Sequence, residues 1–289
     1  MSGLQIWAIQ TLNSLALGGL LYMLSSGFAL IFGLMRVANL THGSLFMIGA
    51  YVAATVVREG HNLFLAALAA MLCVGLLGGL IERLILRRLG GNSQGQVLAT
   101  LGLSFVAADA CLMIWGGDPL PVNAPAMLQM PLHLFGLSFP AYRLVVLAIS
   151  IVAALLLYLL IERTRLGAMI RAGVDDMPMA RAVGIPASLL FTTVFCLGAA
   201  LAGLGGTLAG PIFNAYPGLD AEMLPLALIV VILGGVGSLA GTFVASFIVG
   251  FIYTFGIFLV PDLAYVILFL PMVLVLAFRP QGLFGRSLS

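Results

Sequence analysis

From Leu144 to Ile161 the chain carries no charge and is apolar on every face. A stretch of this length can cross the roughly 30 Å of hydrocarbon in a bilayer as a helix. Transmembrane strands would alternate apolar and polar residues, and this run does not. Similar runs fall near residues 8–34, 38–57, 62–81, 96–115, 143–161, 188–210, 223–233, 239–260 and 262–278, two of them irregular. With 62% hydrophobic residues, 8% charged residues and 35 glycines, nothing outside the runs could form a second domain. The sequence therefore predicts an all-α integral membrane protein. Residues 1–289 form a single polytopic domain of about eight to nine spans, some of them broken. Met1 to Gln10 lack the basic region of a signal peptide, and the run that follows is too long for one, so it is expected to remain as a span.

Chemistry is sparse. The chain has no lysine, which removes a Walker-type phosphate loop and lysine-based covalent catalysis. Any energy from ATP must come through another chain. Cys73, Cys111 and Cys196 lie inside apolar runs without metal-ligand spacing, and His42, His61 and His133 are scattered. No nucleophile, base and orienting acid fall into a recognisable spacing, so enzymatic activity, bound cofactors, metals and nucleic acid are not expected.

Arginines set the orientation. Arg36, Arg83, Arg87, Arg88, Arg163, Arg165, Arg171, Arg181, Arg279 and Arg286 fall on one side when the runs alternate, and Arg58 and Arg143 fall on the other. The positive-inside rule then predicts an exterior N-terminus and a cytoplasmic C-terminus. Gly116 to Tyr142 becomes an exterior segment rich in proline and glycine, either an ordinary loop or a docking surface. Pro211 to Glu222 is also placed outside, offering a partner the carboxylates of Asp220 and Glu222.

Two stretches interrupt the apolar pattern, at 36–49 and 233–241, and both contain Gly-Ser-Leu. They suggest either two related halves or a chance match in glycine-rich sequence. Broken helices in matching positions often border a transport pathway. Asn39, His42, Gly43 and Ser44 in the first stretch, and Gly234, Gly235, Gly237 and Ser238 in the second, are accordingly candidates to line one. Asn39 and His42 could instead hold the broken helix in shape, and a lone histidine of this kind is more often structural than a ligand or proton relay. Asp109, inside the fourth run, either binds an ammonium group or satisfies a neighbouring helix. Gly198, Ala202, Gly206 and Gly210 recur every four residues and give the sixth run a face on which another helix can pack closely.

Between Glu162 and Arg181 the chain concentrates seven formal charges. Within this segment lie the signals of a very short helix. Asp175 and Asp176 are possible N-caps, Pro178 falls in the first turn, and Gly184 and Pro186 form the stop. Met177, Ala180 and Val183 would share a face. Isolated helices need about 12–15 residues to hold in water, so this one requires another surface.

Four motifs together resemble a known family. Gly33 to Tyr51 (GLMRVANLTHGSLFMIGAY), Arg171 to Ile185 (RAGVDDMPMARAVGI), Leu233 to Gly241 (LGGVGSLAG) and Phe278 to Gly285 (FRPQGLFG) appear in the order and spacing of the LivH-type permease of branched-chain amino acid ABC importers. The likeness runs from end to end. It implies a bacterial inner-membrane permease that works with a second, LivM-like permease, two cytoplasmic ATPase subunits holding ATP and Mg, and an extracytoplasmic solute-binding protein. It also implies that residues 162–187 form a coupling loop. Its short helix would sit in an ATPase groove, with Arg171, Asp175, Asp176 and Arg181 fixing the register and Met177, Ala180, Val183 and Gly184 shaping the contact. Related permeases serve branched-chain amino acids, urea, short amides and aromatic acids, with selectivity largely in the binding protein. The alternative is a self-sufficient channel or ion-coupled carrier for a small solute.

Overall fold

A computed structural model describes residues 3–36, 38–134, 137–279 and 281–285. Val37 and Pro280 of the quoted motifs, and the arginine at 286, lie outside them. The chain begins with α1 (Gly3–Met35), α2 (Thr41–Arg58), α3 (Leu63–Leu84) and α4 (Ser93–Trp115). The loop that follows holds a single turn, α5 (Ala126–Gln129), and an antiparallel hairpin of β1 (Pro131–Leu134) and β2 (Leu137–Pro140) with Pro131 opposite Pro140. Then come α6 (Ala141–Arg163), α7 (Arg165–Asp175), α8 (Met177–Ala182), α9 (Ala187–Phe213), α10 (Leu219–Gly234), α11 (Leu239–Leu259) and α12 (Ala264–Phe278). Each of the nine apolar runs is one helix, and the fold is an all-α polytopic bundle.

The spine is α9 packed on α1, α2 and α3. Gly198 lies against Gly27 of α1, Gly206 against the Phe46 carbonyl of α2, and Gly203 against Ala70 of α3. Ala202 is fully buried and Gly210 seats the Val122 side chain of the long loop. At this face the helix backbones approach so closely that a methyl group would meet main-chain atoms. With no water to satisfy them, hydroxyls inside the spans turn back on their own helices. Thr55 donates to the Tyr51 carbonyl at 2.9 Å and Thr207 to that of Gly203 at 3.0 Å.

Among the described residues, six helices are long and apolar enough to cross a membrane by length and composition. The other three, α2, α10 and α12, have 18, 16 and 15 residues, and at about 1.5 Å per residue fall short of the hydrocarbon thickness. Two of these start inside the bundle. The Thr41 hydroxyl at the head of α2 donates to the carbonyl of Thr100, well inside α4, at 2.9 Å. Asp220 in the first turn of α10 accepts from Ser44 of α2 at 3.0 Å.

That contact changes one expectation from the sequence. Pro211 to Glu222 does not offer both carboxylates to a partner: after α9 the chain turns back, and Asp220 is part-buried against Ser44. Glu222 is exposed but accepts from the Tyr216 hydroxyl at 2.7 Å. The Gly-Ser-Leu repeat is out of register. Gly43 to Leu45 lies within α2, whereas Ser238 is the N-cap of α11.

The segment 116–142 is ordered where it meets α9. Leu120 and Ala215 exchange backbone hydrogen bonds of 2.8 and 3.0 Å, and the Tyr142 hydroxyl donates to the Leu208 carbonyl at 2.9 Å.

Candidate coupling site

Most of the charged segment is helical. The Thr164 hydroxyl caps α7 by accepting from the Gly167 amide at 3.1 Å, and Ile170 and Gly173 turn inward, with Gly173 against Leu34 and Leu190. Arg171 donates to the Ile161 carbonyl and lies 3.5 Å from the Glu162 carboxylate, which ties α7 back to the end of α6. Asp175 is the last residue of α7, and Asp176 is the cap of α8, its Oδ1 accepting from the Met179 amide at 3.0 Å. Pro178 occupies the first turn, Val183 is the C-cap, and Gly184 follows with φ +88°, the left-handed conformation that lets the helix stop.

The short helix presents a different face from the one expected. Ala180 is 3% exposed and packs into the bundle, and Met177 is half-buried. Val183 points outward because the helix has ended before it. Met179, 61% exposed, and Val183, 70% exposed, form the outer apolar surface, with Asp175, Asp176 and Arg181 also exposed around them. Met179 was not among the residues singled out in the sequence; it lies about 100° round the helix from Ala180 and faces outward.

Beside α7 lies the second glycine-rich stretch. A cavity of ≈ 330 Å³ is bounded by Arg171, Val174 and Asp175 on one side and by Gly237, Ser238 and Leu239 on the other. Gly33 at the end of α1 touches Gly237, and Val174 of α7 borders both. Gly234 and Gly235 instead receive the C-terminal motif. The Leu283 amide donates to the Leu233 carbonyl at 2.8 Å and the Phe284 amide to that of Gly234 at 3.1 Å, while Gly282 sits against Gly235. Four motifs far apart in sequence thus meet at one end of the bundle.

Asn39, His42, Gly43 and Ser44 lie elsewhere, buried inside the chain. The Asn39 carbonyl oxygen of the side chain accepts from the Thr41 amide at 3.2 Å. His42 Nε2 donates to the Leu24 carbonyl at 2.9 Å, since a carbonyl can only accept, and its ring stands edge-on to Phe28 at 5.6 Å. Gly43 rests on the Asp220 backbone. Asp109 is exposed on α4. The buried carboxylate of the α3 end is Glu82, 0% exposed. It accepts from Arg87 Nε at 3.2 Å and from the Thr192 hydroxyl at 2.7 Å, and Arg87 also reaches the Ser188 carbonyl at 2.8 Å. This network joins α3 to the start of α9, immediately after the charged segment. In the sequence Arg87 counted only toward orientation and Glu82 not at all; an acid and an arginine five residues apart at a helix end were the available signal.

Residues 10–276 match the family described as the permease component of branched-chain amino acid transport systems. The chain belongs to that family. This permease is 28% identical to the high-affinity branched-chain amino acid transport system permease protein BraD of Pseudomonas aeruginosa, over 96% of this chain and 95% of that one. It is 26% identical to the corresponding LivH protein of Escherichia coli strain K12, again over 96% and 95%. Its fold is similar to the solved structure of PsaBC from Streptococcus pneumoniae in complex with Fab, with TM-score 0.50 and 13% identity over 92% of this chain and 89% of that one. The permease is thus a multi-pass membrane transport subunit. The motifs at 33–51, 171–185, 233–241 and 278–285 include the segments that converge at this end of the bundle.

Proposed function

We propose that this permease imports branched-chain amino acids or a related small polar solute, driven by ATP that separate subunits hydrolyse with Mg. The observation that carries the reading is α8: six residues, capped at both ends, with Met179 and Val183 exposed on the arginine-rich side. A helix this short persists only by packing, and its outward apolar pair suits a groove on a cytoplasmic ATPase. Asp175, Asp176 and Arg181 set the register of that contact, and Arg171 braces α7 behind it. On ATP-driven closure the pull passes through α7 to α6, and through Ser188 and Thr192 to Glu82 and Arg87 of the α3 end. The glycine turn at 234–238 and, separately, the Asn39–Ser44 segment are the proposed parts of the pathway wall.

In this reading the N-terminus is extracytoplasmic and the C-terminus cytoplasmic, in a bacterial inner membrane. The partners are a second LivM-like permease, two ATPase subunits and a solute-binding protein that delivers cargo to the opposite face. Purification in mild detergent followed by mass spectrometry is expected to recover those chains together. Uptake into liposomes by this chain alone, without ATP, would instead establish a self-sufficient carrier.

A further inference from the structure

At the end of the bundle opposite the coupling loop, α1, α6, α9 and α11 enclose a cavity of ≈ 460 Å³. This is within the size range of small-molecule sites, which are typically apolar with a few polar groups that fix orientation. Its walls include Leu17 and Leu20 of α1 and Phe213 of α9, and its polar groups are Gln10, Asn13, Arg143, Tyr253 and Thr254. Arg143, in the first turn of α6, is half-buried. Its guanidinium donates to the Asn13 side-chain oxygen, and it forms no ion pair among the described residues. A guanidinium has five donors and a full charge, and a neutral amide offsets only part of that charge in an apolar setting. Trp7 lies stacked on Phe255 at 5.6 Å and edge-on to Phe258, a wall residue, at 6.3 Å. Tryptophan is enriched at the headgroup level of membranes.

We propose that this cavity binds a small anionic amphiphile, whose phosphate or carboxylate oxygens pair with Arg143 while its apolar body lies along Leu17, Leu20 and Phe213. The chemistry is shared by the headgroup of an anionic phospholipid in the outer leaflet and by a free aliphatic carboxylate. The site is independent of the coupling loop and does not rest on the transport reading.

The test measures thermal unfolding of the purified assembly in phosphatidylcholine nanodiscs, with phosphatidylglycerol added in one arm and isocaproate in the other. At least one is expected to raise the unfolding midpoint of the unmodified protein, and the arm that responds identifies the source. Arg143→Gln should weaken the apparent affinity roughly 10- to 100-fold, as expected for losing a charge-assisted bond, whereas Arg143→Lys should retain most of it. Thr254→Phe fills the cavity with Arg143 intact and should weaken binding comparably, so it decides the matter if Arg143→Gln does not fold. The proposal is overturned if neither ligand stabilises the unmodified protein, or if Thr254→Phe and Arg143→Gln respond as it does.

Discussion

Ser44, in the first turn of α2, donates a 3.0 Å hydrogen bond to Asp220, in the first turn of α10, 176 residues further along the chain. Two helix N-termini therefore face one carboxylate inside the bundle, where their dipoles favour the negative charge. A hydrogen bond to a charged group contributes about 1.5–3 kcal/mol. Ser44→Ala should lower the thermal unfolding midpoint accordingly. Ser104→Ala, which removes only an exposed bond to the Leu101 carbonyl of its own helix, should change it little. Equal midpoints for the two variants would mean that the Ser44–Asp220 contact does not hold α2 to α10.

The Glu82–Arg87 pair makes a sharper test of which partner matters. Glu82 is almost wholly buried, its side chain 1% exposed, while Arg87 is 38% exposed. Arg87→Ala leaves the carboxylate inside with only Thr192 as a donor, and breaking such a pair costs on the order of 3 kcal/mol. The double variant Glu82→Gln with Arg87→Met removes both charges and should be less destabilised than the single one. Urea or thermal unfolding of the detergent-solubilised protein reads the order of the two, and the reverse order would place the stabilisation elsewhere.

Asp176 holds α8 by accepting from the Met179 amide. N-cap removal costs about 0.5–2 kcal/mol, a large share of the stability of so short a helix. Asp176→Ala is expected to raise hydrogen exchange at the amides of Met179 to Val183 in the isolated permease without lowering its global unfolding midpoint. In the assembled transporter it should reduce uptake per ATP hydrolysed.

Much of this was legible beforehand, for identifiable reasons. The nine apolar helices, though not which of them are long enough to span, follow from apolar length, and the bounds of α8 follow from Asp176, Pro178 and Gly184, because both are local properties of the chain. The inward turn of Ala180 was not legible, since it depends on which side of a six-residue helix meets α9. Nor was the pairing of Asp220 with Ser44: charge counting places an acid at the near end of a loop outside, and only the re-entry of the chain after Phe213 brings it in. The α7 helix was hidden by its charges, which read as a solvated loop although Ile170 and Gly173 are buried.

Met179 and Val183 form the outward apolar surface of α8, and the proposed grip on an ATPase depends on them. Replacing either by Asp puts a charge where an apolar contact is expected, while leaving a side chain already exposed in the free permease. Membrane insertion and the unfolding midpoint should be unchanged, and recovery of ATPase subunits in co-purification should fall several-fold. Ala180→Leu should behave differently, lowering stability by about 1–3 kcal/mol through overpacking. Full recovery of the ATPases with both Asp variants would move the docking surface away from this helix.

Gly235 joins the two glycine-rich motifs at the coupling end. Its φ is +98°, a conformation that any side chain strains, and a Cβ there would meet the main chain of Gln281 and Gly285. Gly235→Ala should therefore cost more than the roughly 1 kcal/mol of conformational preference alone, because the tail must also move. Two readouts separate local from global effects. The Leu283 and Phe284 amides, which donate to Leu233 and Gly234, should lose protection from hydrogen exchange, while the α1–α9 contact at Gly27 and Gly198 stays protected. Gly184→Ala serves as the control, with a similar φ of +88° and no neighbour within 4 Å of a Cβ. It should show the conformational strain without the displaced tail, so exposure of Leu283 and Phe284 in Gly235→Ala but not in Gly184→Ala assigns the effect to the packed motifs.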